Sequence, residues 1–317
     1  MCSATPKKSL SNQQLSKLVN TSDEWISTRT GIKKRSISTH QSGVVDLATK
    51  AANQALSNGN IRPEEIDLII LASSTPDDLF GSAGEIQYKI GAKNAAAFDI
   101  TAACSGFMIS LLTGSQFIKT GIYQKILIVG ADVLSKWVDW SDRRTCILFG
   151  DAAGAVILER NIEDFILSST IKTDGNQNKE LVLKSQDKIV NQENGLNHRE
   201  YNFIEMNGRE VYKFAVSKLP IAINDCLEKA NLHIEDINWL LLHQANERIL
   251  TAIASKLNLP NEKIINNLRD YGNTSAASIP LALDEAARGK QLAKGDLIIM
   301  AGFGAGFTWS VAIIKWI

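Results

Sequence analysis

The chain has 317 residues, with 34 Lys and Arg set against 34 Asp and Glu, so its formal net charge is zero. Such a chain is not expected to hold nucleic acid or an anionic membrane by bulk attraction, and an anionic partner must meet a local basic patch. The length allows two domains or one large one.

Short apolar runs and sparse cysteines limit the class of protein further. The run 126–131 is far below the ~20 residues that span a bilayer. Residues 1–20 are polar and carry lysines, unlike a secretory signal, so we expect a protein of the reducing cytosol with no membrane partner. Four cysteines without a CxxC pair and four histidines without ligand spacing predict neither a disulfide framework nor a metal site.

In chain order, the predicted elements repeat at a constant offset of 171 residues. Apolar runs suited to buried strands recur, as do segments with helical spacing of apolar residues. The paired segments are 44–56 with 215–227, 64–71 with 235–242, 105–120 with 276–291, and 125–131 with 296–302. Chance similarity of short apolar runs is the alternative. Helices that alternate with strands predict an α/β fold with parallel sheets and right-handed crossovers.

The two predicted halves, 1–160 and 161–317, differ in one place. The first half inserts residues 133–148, which carry Trp and Arg side chains, between its last two strands. A polar insertion on one half only is where a duplicated scaffold would acquire a binding role. Residues 160–207 are polar and are predicted to connect the halves.

Cys104 stands between a predicted strand and a predicted helix that begins SGFMISLL. A sulfur at a helix N-terminus lies near free backbone N–H groups and the positive end of the helix dipole, which stabilise a thiolate. Cys104 is therefore a candidate nucleophile, and a buried structural cysteine is the alternative. Small residues on both sides leave room around the sulfur. Cys146 and Cys226 lie in apolar periodic segments and are predicted to be core.

His243 and Asn273 occupy comparable positions in the second half. His243 ends a predicted strand, and Asn273 precedes a helix within two residues of the position equivalent to Cys104. The alternatives are a satisfied histidine and an asparagine that serves a turn or a helix cap. Ligands collect at the carboxyl ends of parallel strands, so a pseudo-twofold relation between the halves would bring these side chains to one cleft.

A Cys, His and Asn set suits acyl chemistry. A thiolate forms a thioester, while a neutral imidazole and an amide donate to an oxygen that becomes an oxyanion or enolate. Because no carboxylate joins the set, it favours enolate formation by decarboxylation over hydrolysis, which needs a base to activate water. The run GFGAG, 302–306, offers backbone N–H groups for an oxyanion hole. A dinucleotide site is rejected there because no crossover helix follows.

At this point the whole chain resembles the β-ketoacyl-acyl-carrier-protein synthase III family of thiolase-like condensing enzymes. The motifs that carry the resemblance are TSDEWISTRTGI (21–32), AACSGF (102–107), FGDAAGAV (149–156), NGREVYKFAV (207–216), HQAN (243–246), YGNTSAAS (271–278) and GFGAGFTW (302–309). The resemblance implies a layered αβαβα fold, a homodimer, and Cys104, His243 and Asn273 as catalytic residues. It also implies that an acyl-CoA, typically acetyl-CoA, acylates Cys104, and that malonyl-acyl-carrier protein then condenses with loss of CO₂ to start fatty-acid synthesis. No cofactor beyond these substrates is implied.

The resemblance also assigns binding residues by position. Trp25 and Arg143 would hold the CoA adenine between them, and Arg29 would contact its phosphates. The pantetheine tunnel would be lined by Gly208, Tyr212, Ala245 and Asn246. The backbone N–H groups of Cys104 and Ala305 would form the oxyanion hole, and Phe80 would reach into the acyl pocket of the partner subunit.

A local basic group is the expected docking site for the acyl-carrier protein. Arg248 and Lys256 lie on the helix after HQAN and join Lys213 from another segment. The residues Gln244, Ala245, Asn246 and Glu247 are assigned to the same surface. A solvated helix face is the alternative.

Two features depart from the family pattern. The family begins with a strand of which this chain keeps almost nothing, and a missing strand would expose a sheet edge. Residues 173–202 match no motif.

Two alternative functions remain for the whole chain. One is a related condensing enzyme of polyketide or secondary metabolism. The other is a partner subunit without chemistry, which an intact Cys, His and Asn set disfavours.

Overall fold

The computed structural model describes residues 1–191 and 194–317. The helices are α1 Asn12–Leu15, α2 Asp23–Thr30, α3 Val44–Gly59, α4 Ala83–Ile90, α5 Gly106–Thr120, α6 Gly208–Ala230, α7 Glu247–Lys256, α8 Leu268–Tyr271 and α9 Ser278–Arg288. The strands are β1 Cys2–Ala4, β2 Ser9–Ser11, β3 Lys34–Ser36, β4 Leu68–Ala72, β5 Ala96–Ile100, β6 Lys125–Val133, β7 Asp151–Glu159, β8 Ile166–Thr173, β9 Leu181–Val182, β10 Ser185–Asn191, β11 Leu196–Tyr201, β12 Glu205–Met206, β13 Trp239–Leu242, β14 Leu297–Gly304 and β15 Thr308–Lys315. Across these two described ranges, no helix combines the length and the apolar character that crossing a membrane requires.

Two mixed sheets form the frame, with strand orders β1-β7-β6-β4-β5 and β13-β14-β15-β8. In the first sheet, β4 runs parallel to β5 and β6, whereas β7 is antiparallel to β6 and β1. In the second, β13 and β14 are parallel, and β15 is antiparallel to β14 and β8. The prediction of parallel sheets is therefore wrong for the closing strands. Only the short turn Ala305–Phe307 joins β14 to β15, and a parallel partner would need a longer crossover.

The sequence repeat reappears as a repeat of structure. The offset of 171 residues carries β4 onto β13, β6 onto β14, and α5 onto α9, while α3 falls within α6. The expectation of a missing first strand is wrong, because Cys2–Ala4 pairs with β7 as an edge strand. The prediction that residues 160–207 only connect the halves is also wrong in part. Strand β8 lies within this range and is the edge strand of the second sheet, as β1 is of the first. The division into 1–160 and 161–317 stays a prediction.

Alternation of side chains along the strands separates the layers. In β4, Ile69 packs with the outer helices α3 and α4, and Ile70 packs with the central helices α5 and α9. In β13, Leu241 faces the central helices, and Leu242 faces the outer helices α6 and α7. The order helix, sheet, helix pair, sheet, helix is the thiolase-like αβαβα fold.

The N-termini of the two central helices meet at the carboxyl ends of the parallel strands. The 3-10 turn Ala103–Ser105 leads into α5, and the 3-10 turn Ser275–Ala277 leads into α9. Gly130 of β6 permits this approach, since a Cβ there would lie 2.4 Å from the Ala276 carbonyl oxygen. Close packing of this kind fixes one turn from each half against the other.

Candidate active site

Cys104 lies in the turn before α5, where it is 7% exposed. Gly304 of β14 packs directly on it, since a Cβ at that position would lie 2.8 Å from the Cys104 nitrogen. The preceding residue, Ala103, has a φ of 47°, in the left-handed region that L-residues avoid. Strain of this kind clusters at functional sites. The predicted placement at a strand end and a helix start is what the structure shows.

Burial governs the protonation of this thiol. It raises the pKa of Cys104 from 9.0 to about 12, with the nearby Asp132 carboxylate adding to the rise and a hydrogen bond from Ser275 opposing it. Such a rise corresponds to about 4 kcal/mol against the thiolate. A helix N-terminus contributes ~0.3–1 kcal/mol and at most about 2 kcal/mol. Burial and the helix N-terminus therefore act on this thiol in opposite directions.

His243 follows the last residue of β13, and its backbone N–H donates to the Ala301 carbonyl oxygen at 2.8 Å. Its Nδ1 lies 2.6 Å from the Ser278 hydroxyl oxygen, and its ring meets the Phe303 ring edge-on with centroids 5.1 Å apart. Burial lowers the pKa of His243 to about 3. The imidazole is therefore neutral at physiological pH, and with Nδ1 engaged its Nε2 is the atom left for a ligand.

Asn273 is held by backbone pairing with the loop after the one-sided insertion. Its N–H donates to the Leu148 carbonyl at 2.8 Å, and its own carbonyl accepts from the Gly150 N–H at 2.9 Å. The side-chain Oδ1 accepts from the Ser275 N–H at 2.9 Å. Because Oδ1 is engaged, the Nδ2 group is the part of this amide that can donate to a ligand.

Two cavities meet at Cys104. The smaller, of about 70 Å³, brings Cys104, His243 and Asn273 together. Its other lining residues are Leu148, Phe149, Leu181, Met206, Gly208, Val211, Ala245, Asn246, Ile249, Phe303 and Gly304. The larger cavity, of about 800 Å³, is lined by Cys104, Leu79 and Ala305 among others. Cys104 can therefore be reached from two separate cavities.

The three residues assigned to CoA recognition meet on the surface. The Arg143 Cζ lies 5.1 Å from the centroid of the Trp25 ring, and the Arg29 Cζ lies 5.7 Å from it. Trp25 is positioned by α2, whose N-cap Ser22 accepts a hydrogen bond from the Trp25 N–H at 3.0 Å. A base between Trp25 and Arg143 needs two stacking gaps, about 7 Å in total. The two side chains must therefore separate before any planar base can stand between them.

Comparison with known proteins decides the family. A model of 3-oxoacyl-[acyl-carrier-protein] synthase III matches residues 98–175, and a model of its C-terminal part matches residues 227–316. The curated β-ketoacyl-[acyl-carrier-protein] synthase III of Trichodesmium erythraeum is 55% identical over 316 residues, covering 99% of this chain and 96% of that protein. The chain belongs to the β-ketoacyl-acyl-carrier-protein synthase III family.

Solved structures of family members support the same family assignment. The 3-oxoacyl-[acyl-carrier-protein] synthase III of Aquifex aeolicus superposes with a TM-score of 0.91 at 43% identity, covering 99% of this chain and 98% of that chain. A priming β-ketosynthase of the R1128 polyketide pathway also superposes, with a TM-score of 0.90, but at 28% identity over 99% of this chain and 94% of that chain. The chain is an acyltransferase, the initiating condensing enzyme of fatty-acid synthesis, EC 2.3.1.180.

Three of the residues predicted for the tunnel line the smaller cavity, namely Gly208, Ala245 and Asn246. Asn246 has a second task, since its Oδ1 accepts from the Arg248 N–H at 2.9 Å and so caps α7. Tyr212 on α6 is 39% exposed and does not line either cavity described above. Any contact between Tyr212 and pantetheine would therefore lie outside these two cavities.

Gln244 cannot contact a carrier protein, which corrects its assignment. Its side chain is buried, and its Nε2 donates to the Leu242 carbonyl at 2.7 Å and the Ile265 carbonyl at 3.2 Å. Its Oε1 accepts from the Asn267 N–H at 3.1 Å. An amide satisfied on both ends is a structural support for the strand end that carries His243.

The basic residues of the predicted docking surface are exposed. Arg248 donates from Nε and Nη2 to the Thr28 carbonyl, and Lys256 donates to the Val216 carbonyl. Lys213 pairs with Glu210 at 2.7 Å. Arg248 is thus oriented by α2, which also carries Trp25, while the neighbouring Glu247 adds a negative charge to the same face.

Sequence reasoning missed the polar residues behind the catalytic set. Ser275 donates to the Cys104 sulfur at 3.4 Å, and Asp132 lies buried beside the pair. Ser278, which holds His243, was also overlooked. One signal was available, because the offset of 171 residues carries Cys104 onto Ser275.

Proposed function

We propose that Cys104 accepts an acyl group, typically acetyl, from acyl-CoA and then transfers it to malonyl-acyl-carrier protein. The products are CoA, CO₂ and acetoacetyl-acyl-carrier protein, and no further cofactor takes part. The observation that carries the proposal is the shared cavity of Cys104, His243 and Asn273. A thiol with two neutral hydrogen-bond donors beside it matches the needs of a thioester and an enolate.

The two half-reactions use different groups. In the first, the Cys104 sulfur loses its proton to solvent and attacks the thioester carbon, and the N–H groups of Cys104 and Ala305 hold the oxyanion. When the carbonyl re-forms, the bond to the CoA sulfur breaks, and CoA takes up a proton from solvent and leaves as a thiol. In the second, loss of CO₂ leaves its bonding electrons on the extender, and the enolate oxygen accepts from Nε2 of His243 and Nδ2 of Asn273. The enolate carbon then attacks the acyl carbon, and the bond to the Cys104 sulfur breaks.

Acyl-CoA reaches this site over the surface of α2. Trp25 and Arg143 part to hold adenine, and Arg29 meets the phosphates. Support comes from their mutual distances and from the position of α2 beside α7, whose N-cap Asn246 donates to the Arg29 carbonyl at 3.1 Å. Arg248, Lys256 and Lys213 provide positive charge at the same entrance for an acidic carrier protein.

A homodimer completes the proposal. Among the described residues 1–191 and 194–317, no strand pairs with the outer side of the edge strand β5, and Phe98 on it is 38% exposed. The neighbouring loop presents Leu79 and Phe80, which are 79% and 102% exposed, and is tied to β5 because Asp99 accepts from the Ser82 N–H. An apolar patch beside an open sheet edge is typical of an interface. Phe80 would then reach the larger cavity of the partner.

The proposed location is the reducing cytosol, which the four free cysteines support.

Intact-mass measurement after mixing with a panel of acyl-CoAs tests the central step. The unmodified protein should gain one acyl group, and the most reactive member of the panel identifies the primer. Cys104→Ala should gain none. Cys226→Ala is the matched control, because Cys226 is buried in the core between the second sheet and its outer helices and should leave the adduct intact. An adduct that persists in Cys104→Ala would contradict the proposal.

A further inference from the structure

The hydrogen-bond donors assigned so far all serve oxygen atoms. In the proposed mechanism, the N–H groups of Cys104 and Ala305 hold the oxyanion of the first half-reaction, while His243 and Asn273 hold the enolate oxygen of the second. None of these donors is assigned to the Cys104 sulfur, which is charged before it attacks acyl-CoA and again when the acyl group leaves it. A buried charge without a donor is costly, so a donor directed at the sulfur would favour both half-reactions.

The Ser275 hydroxyl lies at this sulfur. Its Oγ donates a hydrogen bond to the Cys104 Sγ at 3.4 Å. Ser275 is 3% exposed and Cys104 is 7% exposed, so the contact between them is shielded from water. Both residues line the larger cavity. The hydroxyl therefore contacts the reacting atom itself.

The backbone holds this hydroxyl against the sulfur before any substrate binds. Ser275 has a φ of 50°, in the left-handed region that residues with a side chain rarely adopt. The turn is fixed on both sides, because the Ser275 N–H donates to Asn273 Oδ1 at 2.9 Å and the Ala276 N–H donates to Asp132 Oδ2 at 3.2 Å. Strained backbone persists where its surroundings fix it, and it clusters at functional sites.

The direction of this hydrogen bond suits a sulfur that has lost its proton. A thiol donates or accepts weak hydrogen bonds, whereas a thiolate has only lone pairs and can only accept. Hydrogen bonds to a charged group are stronger than those between neutral groups. The bond from Ser275 is therefore stronger to the thiolate than to the thiol, or to the thioester that acylation forms. It selectively stabilises the two stages in which the sulfur is charged.

We propose that Ser275 is a further catalytic residue, a hydrogen-bond donor that stabilises the Cys104 thiolate as it forms and as it leaves. This inference deepens the proposed function and rests on it, because it assumes that Cys104 is the acylated residue. In acylation, the sulfur proton goes to solvent and the sulfur electron pair forms the bond to the acyl carbon. In condensation, that bond breaks, its electron pair returns to the sulfur, and the thiolate takes a proton from solvent. The Ser275 proton stays on its oxygen throughout.

Decarboxylation separates this role from a merely structural one. The Ser275 N–H holds the Asn273 amide, so a variant that displaced this turn would also displace a donor to the enolate and slow decarboxylation. A variant that only lacks the hydroxyl keeps the N–H and therefore keeps the amide in place. Because decarboxylation does not use the sulfur, loss of the hydrogen bond alone should slow acylation and spare decarboxylation.

The test measures two rates: acylation of Cys104 by the most reactive acyl-CoA of the panel, followed by rapid-quench intact mass, and decarboxylation of malonyl-carrier protein by Cys104→Ala. Ser275→Ala should lower the maximal acylation rate by about 10- to 100-fold, the range expected for loss of a hydrogen bond to a charged group. The acyl-CoA concentration that gives half of the maximal rate should not change. Adding Ser275→Ala to Cys104→Ala should leave the rate of decarboxylation unchanged.

Ser110→Ala is the matched control. Its hydroxyl is buried on α5 and has no hydrogen-bond partner within residues 1–191 and 194–317, so its removal should leave acylation at the unmodified rate. Ser275→Gly also lacks the hydroxyl and adopts a positive φ without strain, so it should be as slow as Ser275→Ala and decides the test if Ser275→Ala does not fold.

Two results would overturn the inference. One is acylation of a folded Ser275 variant at the unmodified rate. The other is an equal loss in acylation and in decarboxylation, which would show that Ser275 only supports the turn. Failure of the unmodified enzyme to form an adduct with any acyl-CoA would instead overturn the proposed function.

Discussion

The two central turns of the molecule are equivalent in structure and different in chemistry. Cys104 and Ser275 occupy matching positions in the repeat, each in a 3-10 turn that leads into a central helix, and the two side chains touch. The strand ends differ as well, since His243 stands where the first half has Ala72. In the proposed mechanism one half therefore contributes the nucleophile, and the other half contributes the hydrogen-bond donors.

The first prediction concerns the contact between the two halves at Gly304 and Cys104. Gly304→Ala adds a Cβ within 2.8 Å of the Cys104 nitrogen and 3.0 Å of its Cβ, so Cys104 must move. A displacement of about 1 Å can cost about 10²-fold in rate, and we expect both half-reactions to fall by that order. Gly84→Ala is the control, because nothing lies within 4 Å of the added methyl group. Steady-state kinetics on both variants tests this expectation. Equal losses of rate in Gly304→Ala and Gly84→Ala, or no loss in either variant, would contradict it.

The second prediction concerns the CoA surface, which depends on the insertion found in the first half only. Trp25→Ala removes the ring that Arg143 and Arg29 now contact. A stacking contact with a base is worth about 1–3 kcal/mol, so the KM for acyl-CoA should rise about tenfold. Turnover of an acyl-pantetheine substrate, which lacks adenine, should not change. Equal losses on both substrates would show that Trp25 supports the fold rather than the nucleotide.

The third prediction concerns the docking face of the second half. Arg248→Ala should raise the KM for malonyl-carrier protein a few-fold at low salt and spare acylation by acyl-CoA. The difference should shrink at physiological salt, where exposed charges are screened within about 8 Å. Lys294→Ala, an exposed lysine in the loop before β14, is a matched control. Kinetics with carrier protein that do not change at low salt would remove Arg248 from the docking surface.

The fourth prediction is an absence of effect. Burial holds the pKa of His243 near 3, below its usual 6.5, so the ring stays neutral as the pH falls through 6.5 and becomes protonated only near pH 3. Decarboxylation of malonyl-carrier protein by Cys104→Ala should therefore show no acidic limb between about pH 5 and 8. A limb centred near pH 6.5 would mean that a solvated, protonating histidine takes part.

The sequence was sufficient for the repeat and for the residues at strand ends, because buried strands and amphipathic helices leave periodic patterns. Strand direction at the sheet margins was not predictable from those patterns. It depends on connection length, as at the turn Ala305–Phe307, and the three-residue strand β1 is too short to carry a period.

The direction of each side chain within a motif was the second feature that the sequence did not predict. Gln244 and Asn246 stand two residues apart, yet one is buried and the other lines the small cavity. Spacing alone did not reveal that Asp132 accepts from the Ala276 N–H beside the turn that carries Ser275, because in the sequence Asp132 is a single charge at the end of an apolar strand. Its significance follows from the packing of β6 against the turn before α9.

The most direct test of the division of labour compares Cys104→Ala with Asn273→Ala in both half-reactions. Loss of one oxyanion donor typically costs about 10²–10³ in rate, so Asn273→Ala should decarboxylate and condense that much more slowly while Cys104 still accepts an acyl group from CoA. Cys104→Ala should form no adduct and retain measurable decarboxylation. If Asn273→Ala failed to acylate, or Cys104→Ala lost all decarboxylation in a folded protein, the assignment of the two roles to the two halves would be wrong.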